Sequence, residues 1–357
     1  MQDNDKKPHP KKNAIIIVSP VLDSVNFLND YIEKNKNIHD FIILHDKNET
    51  IGYFNNINNI IIRDIRFTRK FFSFSSISKL IKNIKEINSN YTKINVILNS
   101  PNSILYLLFF KYFLSNKKIY IIIHGLLEAR PLFIRIIYNF ILNIFIPFSY
   151  KTICVNKSYK FLSKRKIYYL EYIGFGIISE RYFAINNLRS IRRKNKKIKI
   201  GFVGRYTKEK GIDRYINLKN ILNKSCLKHE FIFYSYGDKI NITNEIISHK
   251  ILYNKKDIAA FYSSIDILIF PSRGDSVGLA QLEALCSGAI ILSSNNNGSK
   301  QLKKIFNNQI FIINNWDEKT ILYNIEKIIN NIETLSKSLI EFNQSNYVIK
   351  YWDKIFE

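Results

Sequence analysis

The stretch that decides the fold is residues 198–213, which read IKIGFVGRYTKEKGID. Its first six residues have the near-continuous hydrophobicity of a strand that is covered on both faces. Gly204 follows this strand, Arg205 and Lys210 lie in the loop, and Gly211 opens the next helical pattern. Two cations beside a helix N-terminus favour a diphosphate, because free N–H groups and the helix dipole also favour negative charge. Either cation alone fits a solvated loop equally well.

A second stretch, residues 269–288 (IFPSRGDSVGLAQLEALCSG), also runs from a strand into a loop and a helix. The loop holds Asp275, and the helix is predicted to begin around Ser276 to Gly278, with Glu283 one to two turns inside it. Carboxylates accept hydrogen bonds from sugar hydroxyls and helix amides bind phosphates, so the pattern suits a nucleotide sugar. Taken singly, Asp275 also fits an N-cap and Glu283 a surface helix residue.

Outward from these two stretches, apolar runs of strand length recur between helix-length segments throughout the chain. In the first half the predicted strands are Ala14–Ser19, Phe41–Leu44, Ile60–Ile62, Ile94–Leu98, Ile119–Ile123 and Thr152–Val155. In the second half they are Ile198–Val203, Phe231–Tyr234, Lys250–Tyr253, Ile267–Phe270 and Ala289–Leu292. Their continuous hydrophobicity predicts an α/β protein with parallel, doubly wound sheets.

The length of 357 residues favours two domains of ordinary size. We expect a flexible tail at residues 1–13, an N-terminal domain at 14–180, a basic linker at 181–197 and a C-terminal domain at 198–340. The tail lacks the long apolar region of a signal peptide, so export is not indicated. A cytoplasmic protein is therefore expected.

The net charge and the cysteine spacing restrict the classes of partner and site that the chain can have. The chain has 54 Lys and Arg against 29 Asp and Glu, a net charge of +25, which permits nucleic acid, anionic lipid or phosphorylated substrates as partners. No recognition-helix or RNA-module signature is present, so specific nucleic-acid binding is not expected. Cys154, Cys226 and Cys286 are far apart, which disfavours a disulfide framework and a zinc site.

The most membrane-like segment is residues 132–148 (LFIRIIYNFILNIFIPF). Arg135, Asn139 and Asn143 follow at i, i+4 and i+8, which places them on one narrow stripe of a helix. The segment fits a mostly buried helix of a globular domain and also an in-plane helix that docks on a bilayer, and the spacing does not separate the two. It is short for a transmembrane helix.

Together the two stretches resemble the retaining glycosyltransferases of family 4. The family pattern G-R-x-x-x-x-K-G is met by Gly204 to Gly211, and its Glu-x7-Glu element by Asp275 to Glu283. The resemblance covers residues 198–298 in spacing and order, and it implies the GT-B fold, two Rossmann-like domains that face a central cleft. The final segment, within residues 341–357, is similar to the family's terminal helix, which crosses back to the N-terminal domain. Residues 233–238 (FYSYGD) look like the family's next strand and its glycine turn.

The resemblance also implies residue roles. Arg205 and Lys210, with Gly204, would bind the donor diphosphate, and Glu283 the nucleotide ribose. Asp275 would contact the donor sugar and take a catalytic role. The sugar would also be held by the amides of Ser276, Val277, Gly278 and Leu279. His124, in IIIHG at 121–125, looks like the family's strand-end histidine and is the second catalytic candidate.

The implied reaction is transfer of a sugar, with retention, from a nucleotide-diphosphate sugar to a glycan or lipid-linked acceptor in envelope polysaccharide biosynthesis (O-antigen, lipopolysaccharide or capsule). No cofactor and no metal are expected; the one D-x-D, Asp3-Asn4-Asp5, lies in the tail. The acceptor would lie at an anionic membrane, on the inner face of the cytoplasmic membrane. A GT-B epimerase or hydrolase, or a polyanion-binding protein, are the alternatives.

Two features depart from the family pattern. Residues 19–24 (SPVLDS) stand where many members carry a glycine-rich loop after the first strand. Asp275 stands where the pattern has Glu, so this carboxylate is about one methylene shorter. The first departure bears on the acceptor side and the second on donor preference.

Overall fold

The computed structural model describes about two thirds of the chain. The described residues are 13–19, 28–45, 60–65, 74–99, 101–123, 132–154, 167–169, 197–237, 246–250, 255–275, 278–332 and 355. The chain divides into two compact units. Unit 1 comprises residues 1–124, 133–170 and 351–357, and unit 2 comprises residues 125–132 and 171–350.

Unit 1 contains a seven-stranded parallel sheet in the order β3-β2-β1-β4-β5-β6-β7. The strands are β1 Asn13–Val18, β2 His39–His45, β3 Ile60–Asp64, β4 Lys93–Leu98, β5 Lys117–Ile123, β6 Lys151–Cys154 and β7 Ile167–Tyr169. The described helices are α1 Asn29–Asn35, α2 Phe74–Asn90, α3 Pro101–Ile104, α4 Leu107–Phe113 and α5 Leu132–Phe145, with a 3-10 turn at Ile146–Phe148.

Unit 2 contains a six-stranded parallel sheet in the order β10-β9-β8-β11-β12-β13. The strands are β8 Lys197–Val203, β9 Glu230–Gly237, β10 Ile246–Lys250, β11 Ile267–Phe270, β12 Ile290–Ser294 and β13 Ile310–Ile313. The described helices are α6 Ile212–Lys224, α7 Lys255–Ser264, α8 Leu279–Cys286, α9 Asn297–Ile305 and α10 Glu318–Asn330.

Both sheets reverse their strand order at one point, between β1 and β4 in unit 1 and between β8 and β11 in unit 2. Such a reversal opens a crevice at the carboxyl ends of the two strands, where open α/β sheets bind ligands. With right-handed crossovers it also places the connecting helices on opposite faces of the sheet. The prediction of two Rossmann-like, doubly wound units is thereby confirmed.

The strands at these reversal points are deeply buried. Residues 14–18 of β1 are at most 1% exposed, and in β11 residues 267–269 are fully buried. In unit 2 the fully buried Tyr215 fixes α6 on the sheet, because its hydroxyl donates to the carbonyls of Ile200, at 3.1 Å, and Tyr234, at 2.7 Å. Burial raises the pKa of Tyr215, so its phenol stays a donor.

Several predicted limits differ from the structure. The strand predicted at Lys250–Tyr253 begins earlier, because β10 spans Ile246–Lys250, and residues 251–253 lie outside the described residues. Two short strands, β7 and β13, were not predicted. The predicted linker at 181–197 lies outside the described residues except Lys197, which begins β8.

The last segment of the chain belongs to unit 1. Its one described residue, Ile355, is helical and 7% exposed, and its carbonyl accepts a hydrogen bond from the Lys151 ammonium at 2.9 Å. Across the residues that the structure describes, no helix combines the length and hydropathy that a bilayer crossing requires.

Candidate functional site

The two loops singled out from the sequence lie side by side at the strand reversal of unit 2. β8 and β11 pair directly, with Ile200 opposite Ile267 and Gly201 opposite Leu268. The loop after β8, residues 204–211, and the loop after β11, residues 271–275, therefore leave the same edge of the sheet. This is the ligand-binding edge of a doubly wound sheet.

The two loops are in direct contact through backbone atoms. Gly211 has φ +80°, and a Cβ at this position would lie 2.3 Å from the carbonyl oxygen of Pro271, so only glycine fits. The backbone N–H of Arg273 donates to the carbonyl of Glu209 at 2.9 Å. These contacts hold the loop after β8, which we call the basic loop, against the loop after β11.

Asp275 is held by groups from three segments. One carboxylate oxygen lies 2.8 Å from the Lys210 ammonium, and the other accepts the backbone N–H of Gly278 at 2.9 Å. The Asp275 carbonyl accepts the N–H of Gly298, at the start of α9, at 3.0 Å. The Lys210 and Asp275 side chains are 26% and 16% exposed. The pair is therefore reachable by a ligand while its geometry is fixed.

This arrangement can bind an oxygen-rich anion. An ammonium has three N–H donors, and the ion pair with Asp275 uses one, so others can reach phosphate oxygens. The two nearby helices begin after left-handed glycines, α6 after Gly211 and α8 after Gly278, with φ +80° and +63°. Their N-termini add partial positive charge near the loops.

Glu283 lies on α8, half-buried, where Tyr262 of α7 holds it. The Tyr262 hydroxyl, on a fully buried side chain, donates to a Glu283 carboxylate oxygen at 2.8 Å. A carboxylate fixed in this way retains lone pairs for further donors, such as the hydroxyls of a ribose. Tyr262 is therefore a positioning residue for Glu283.

Two arginines brace the loops from outside. Arg214, in the first turn of α6, donates to the Pro271 carbonyl and to the Ser294 hydroxyl, both at 3.1 Å. Arg273 forms two parallel hydrogen bonds to Asp213, at 2.8 and 2.6 Å, and also donates to the carbonyl of Lys208. The Arg273 guanidinium lowers the pKa of Asp213, so this carboxylate stays charged as an acceptor.

The structure describes some of the remaining predicted site residues and not others. Arg205 is exposed, and the structure gives its side chain no hydrogen bond or ion pair with the described residues. Gly204 has φ +144°, and Leu279 is the first residue of α8. Ser276, Val277 and His124 lie outside the described residues. The structure thus joins Lys210 to Asp275 and leaves the other predicted roles as predictions.

Residues 233–238 look like the family's next strand and its glycine turn, and the structure places residues 233–237 in β9, which ends at Gly237. A Cβ on Gly237 would lie 2.1 Å from the Tyr206 ring, whose hydroxyl donates to Ser235 at 2.9 Å. Asp238 lies outside the described residues. The glycine is thus required by close packing of the basic loop on β9.

Sequence reasoning missed four residues that shape this site, namely Asp213, Arg214, Tyr262 and Arg273. Their partners lie far away along the chain: Arg273 and Asp213 are 60 residues apart, and Tyr262 and Glu283 are 21 apart. A local motif carries no signal for such pairs. The one signal in the sequence is position: Asp213 lies just after the motif at 204–211, and Arg273 lies just before the motif that begins at Asp275.

A protein-family model matches the part of the chain that contains both loops. Residues 185–345 match the family model of glycosyl transferases group 1. This group 1 match includes Lys210, Asp275 and Glu283, and it covers the strand reversal of unit 2. It ends short of the final residues assigned to unit 1.

Two curated relatives are proteins of Klebsiella pneumoniae. An uncharacterized 41.2 kDa protein in its cps region is 31% identical over 104 residues, which is 28% of this chain and 28% of that protein. An uncharacterized 42.6 kDa protein in the cps region is 26% identical over 193 residues, 52% of this chain and 48% of that protein. The matched segments therefore span less than half the length of either Klebsiella protein.

Solved structures are similar over nearly the whole chain. Anabaena Alr3699/HepE, crystallised with UDP and glucose, has a TM-score of 0.72 at 12% identity, covering 96% of this chain and 98% of that one. A glycosyltransferase from Rickettsia africae has a TM-score of 0.67 at 18% identity, covering 97% and 98%. These likenesses show the fold, and the chain has the GT-B fold that the sequence predicted.

Proposed function

We propose that this protein is a retaining glycosyltransferase that moves a sugar from a nucleotide-diphosphate donor to a glycan or lipid-linked acceptor. The observation that carries the proposal is the Lys210–Asp275 ion pair, 2.8 Å long, at the strand reversal of the unit that matches group 1. It combines a cation for phosphate with a carboxylate for sugar hydroxyls at one ligand-binding edge.

The chemistry follows from the charge that develops in transfer. When the bond between the sugar and the diphosphate breaks, the leaving diphosphate gains negative charge. Lys210, Arg205 and the N-terminus of α6 would stabilise this charge, and Glu283 would hold the ribose. Asp275 would hold the donor sugar, with His124 as the second catalytic residue. This scheme requires no metal, which is part of the proposal.

The donor and pathway are proposed by analogy. Because the Anabaena neighbour was crystallised with UDP and glucose, UDP-sugars are the first donors to test. Both curated relatives are encoded in a cps region, which favours capsule among the envelope polysaccharides. The acceptor would be presented at the cytoplasmic membrane.

A thermal-shift screen against UDP, GDP, ADP and CMP, with a chelator present, tests the donor site. A ligand that binds only the folded state stabilises it by about 2.7 kcal/mol at one hundred times its Kd. We expect one nucleoside diphosphate to raise the Tm of the wild type and not of Lys210→Ala. Lys208→Ala, which changes an exposed lysine of the same loop, is the matched control and should respond like the wild type. An equal response of Lys210→Ala would contradict the assignment.

Incubation with the responding donor then separates transfer from the alternatives. A glycosyltransferase should consume donor only when an acceptor is added, and NMR of the product should show the donor's anomeric configuration. Rapid conversion of the donor alone would indicate an epimerase or hydrolase instead.

A further inference from the structure

Helix α5 presents its apolar side outward. Phe133 and Phe140 are 63% and 67% exposed, and Ile136 and Ile137 are 61% and 53% exposed. The polar stripe of the same helix, which includes Asn139 and Asn143, is only half-exposed. A helix on the surface of a water-soluble unit shows the opposite pattern, with its polar side outward.

Helix α4 extends this apolar surface. Tyr112 is 83% exposed and Leu108 is 50% exposed, and both line a pocket of about 580 Å³ on this helix. The Lys111 ammonium lies 4.4 Å from the centre of the Phe148 ring, in the 3-10 turn that follows α5. We call the outward side chains of α4, α5 and this turn the α4–α5 face. Exposed apolar side chains grouped in this way mark an interaction site.

The edge of the α4–α5 face is basic. The Lys118 and Lys151 ammonium groups lie 4.9 and 5.6 Å from the centre of the Tyr150 ring, and Lys85 lies 5.9 Å from that of Phe113. Residues 101–154 contain six Lys and Arg and a single acidic residue, Glu128. Lysines therefore lie along one edge of the apolar surface.

This charge decides between two apolar partners. A second copy of the chain would bring one set of lysines against another, which opposes association. An anionic bilayer instead offers phosphate headgroups to the lysines and an apolar interior to the phenylalanines and isoleucines. Aromatic and lysine side chains at one level are typical of proteins that lie in the membrane interface.

We propose that the α4–α5 face docks on the surface of an anionic lipid bilayer, with α5 lying in the plane of the interface. The docking rests on this face alone. Its use, to bring the enzyme to a lipid-linked acceptor, rests on the proposed function. Between the two readings of residues 132–148 given by the sequence, the outward position of the phenylalanines and isoleucines favours the in-plane helix.

Vesicle flotation of the full-length protein tests the proposal. We expect binding to vesicles of phosphatidylglycerol and phosphatidylcholine, weaker binding at high salt, and little binding to phosphatidylcholine alone. The double variant Ile136→Ser/Phe140→Ser should reduce binding at least about tenfold, because two large apolar side chains no longer enter the bilayer. A matched control, Ile247→Ser/Tyr323→Ser, changes side chains of unit 2 that are 48% and 64% exposed and should bind as the wild type does.

The electrostatic part has its own variant. Lys111→Glu/Lys118→Glu should weaken binding to the anionic vesicles at least about tenfold. Equal flotation of the Ile136→Ser/Phe140→Ser variant and the wild type would overturn the proposal. So would a wild-type dimer in sedimentation velocity that this variant converts to monomer while vesicle binding stays unchanged.

The donor thermal shift, measured on the same proteins, keeps this proposal separate from the proposed function. Loss of vesicle binding in the double variant with an intact nucleotide response supports docking. If the wild type responds to nucleotide but does not float with vesicles, the docking proposal is wrong and the donor site is unaffected. A wild type that floats but responds to no nucleotide would sink the donor site alone.

Discussion

The strand reversals of the two units share one backbone hydrogen bond and carry different side chains. In unit 1 the residue after β1, Ser19, donates its N–H to the Leu44 carbonyl at 3.0 Å, and in unit 2 Gly204 does the same to Tyr236 at 3.0 Å. Unit 1 then places the neutral Asn99 after β4. Unit 2 places the charged Asp275 in the loop after β11.

At the reversal of unit 1 the described residues are neutral and buried, whereas at the reversal of unit 2 a charged pair is partly exposed. Ser19 and Asn99 are 0% and 1% exposed, and the Asn99 amide donates to the Ser19 hydroxyl at 3.4 Å. Lys210 and Asp275 keep 26% and 16% of their side-chain surface exposed. Topology therefore supplies a strand reversal twice, and among the described residues it is the reversal of unit 2 that presents a charged pair.

The largest expected effect comes from neutralising the charged reversal. Asp275→Asn keeps an oxygen for the Gly278 N–H but removes the charge that faces Lys210. Turnover should fall about 100-fold or more, as when one preorganised transition-state contact is lost. Steady-state rates with the donor identified by thermal shift measure this.

The neutral reversal supplies the control for that experiment. Asn99→Ala should cost about 1–3 kcal/mol of unfolding free energy, because a buried hydrogen bond is lost, and should leave the nucleotide thermal shift unchanged. If Asp275→Asn turned over like the wild type, or Asn99→Ala lost nucleotide binding, the contrast between the two edges would be wrong.

The next effect concerns the contact that holds the charged loops together. Gly211→Ala forces a side chain into left-handed backbone and places its Cβ against the Pro271 carbonyl, so unfolding free energy should drop by about 2–5 kcal/mol. Gly204→Ala is the matched variant, since its φ is also positive but the nearest atom to its Cβ is 3.8 Å away. We expect a loss of about 1–2 kcal/mol there. Urea unfolding measures both, and equal losses would show that the loop contact adds nothing.

The sequence predicted the strands at the reversal points well because these strands are buried on both faces. β1 and β11 are continuous apolar runs, and such runs have few other readings in an α/β chain. The position predicted for β10 was wrong because β10 lies at the edge of the described sheet, where it pairs with β9, and because it ends in His249 and Lys250. The apolar residues 251–253 just beyond it drew the prediction forward.

The residues of the site could be predicted only where they belong to a sequence motif. Lys210 and Asp275 belong to two separate motifs, and the structure puts their charged groups 2.8 Å apart. The hydrogen bonds that hold the two loops in place depend on tertiary contacts, which the spacing of residues along the chain does not indicate. Arg214 reaches the Pro271 carbonyl across 57 residues, and Tyr262 reaches Glu283 across 21.

Loss of one of these unpredicted contacts, the hydrogen bond from Tyr262 to Glu283, should have a smaller effect on catalysis. Tyr262→Phe removes the hydroxyl that orients Glu283, so the donor KM should rise about tenfold or less while kcat stays near the wild-type value. A KM effect without a kcat effect is expected because the ribose does not react. Tyr323→Phe, an exposed tyrosine of α10, is the control. An unchanged KM would show that Glu283 needs no support from Tyr262.

The smallest effect belongs to the Arg273–Asp213 pair at the rim of the charged edge. Both side chains are partly exposed, 33% and 45%, so Asp213→Asn should cost only about 0–1 kcal/mol at neutral pH. The pKa of Asp213 is lowered by Arg273, so the contribution is present above the ordinary pKa of the carboxyl and is lost as pH falls through the lowered value. The difference in stability between wild type and Asp213→Asn, from urea unfolding, should therefore shrink below about pH 4.

A difference that stayed constant as the pH fell would mean that Asp213 stabilises the loop through packing and not through its charge. In that case the bracing of the charged edge would be steric, as at Gly211, and the two edges would differ only in the charges that face the ligand.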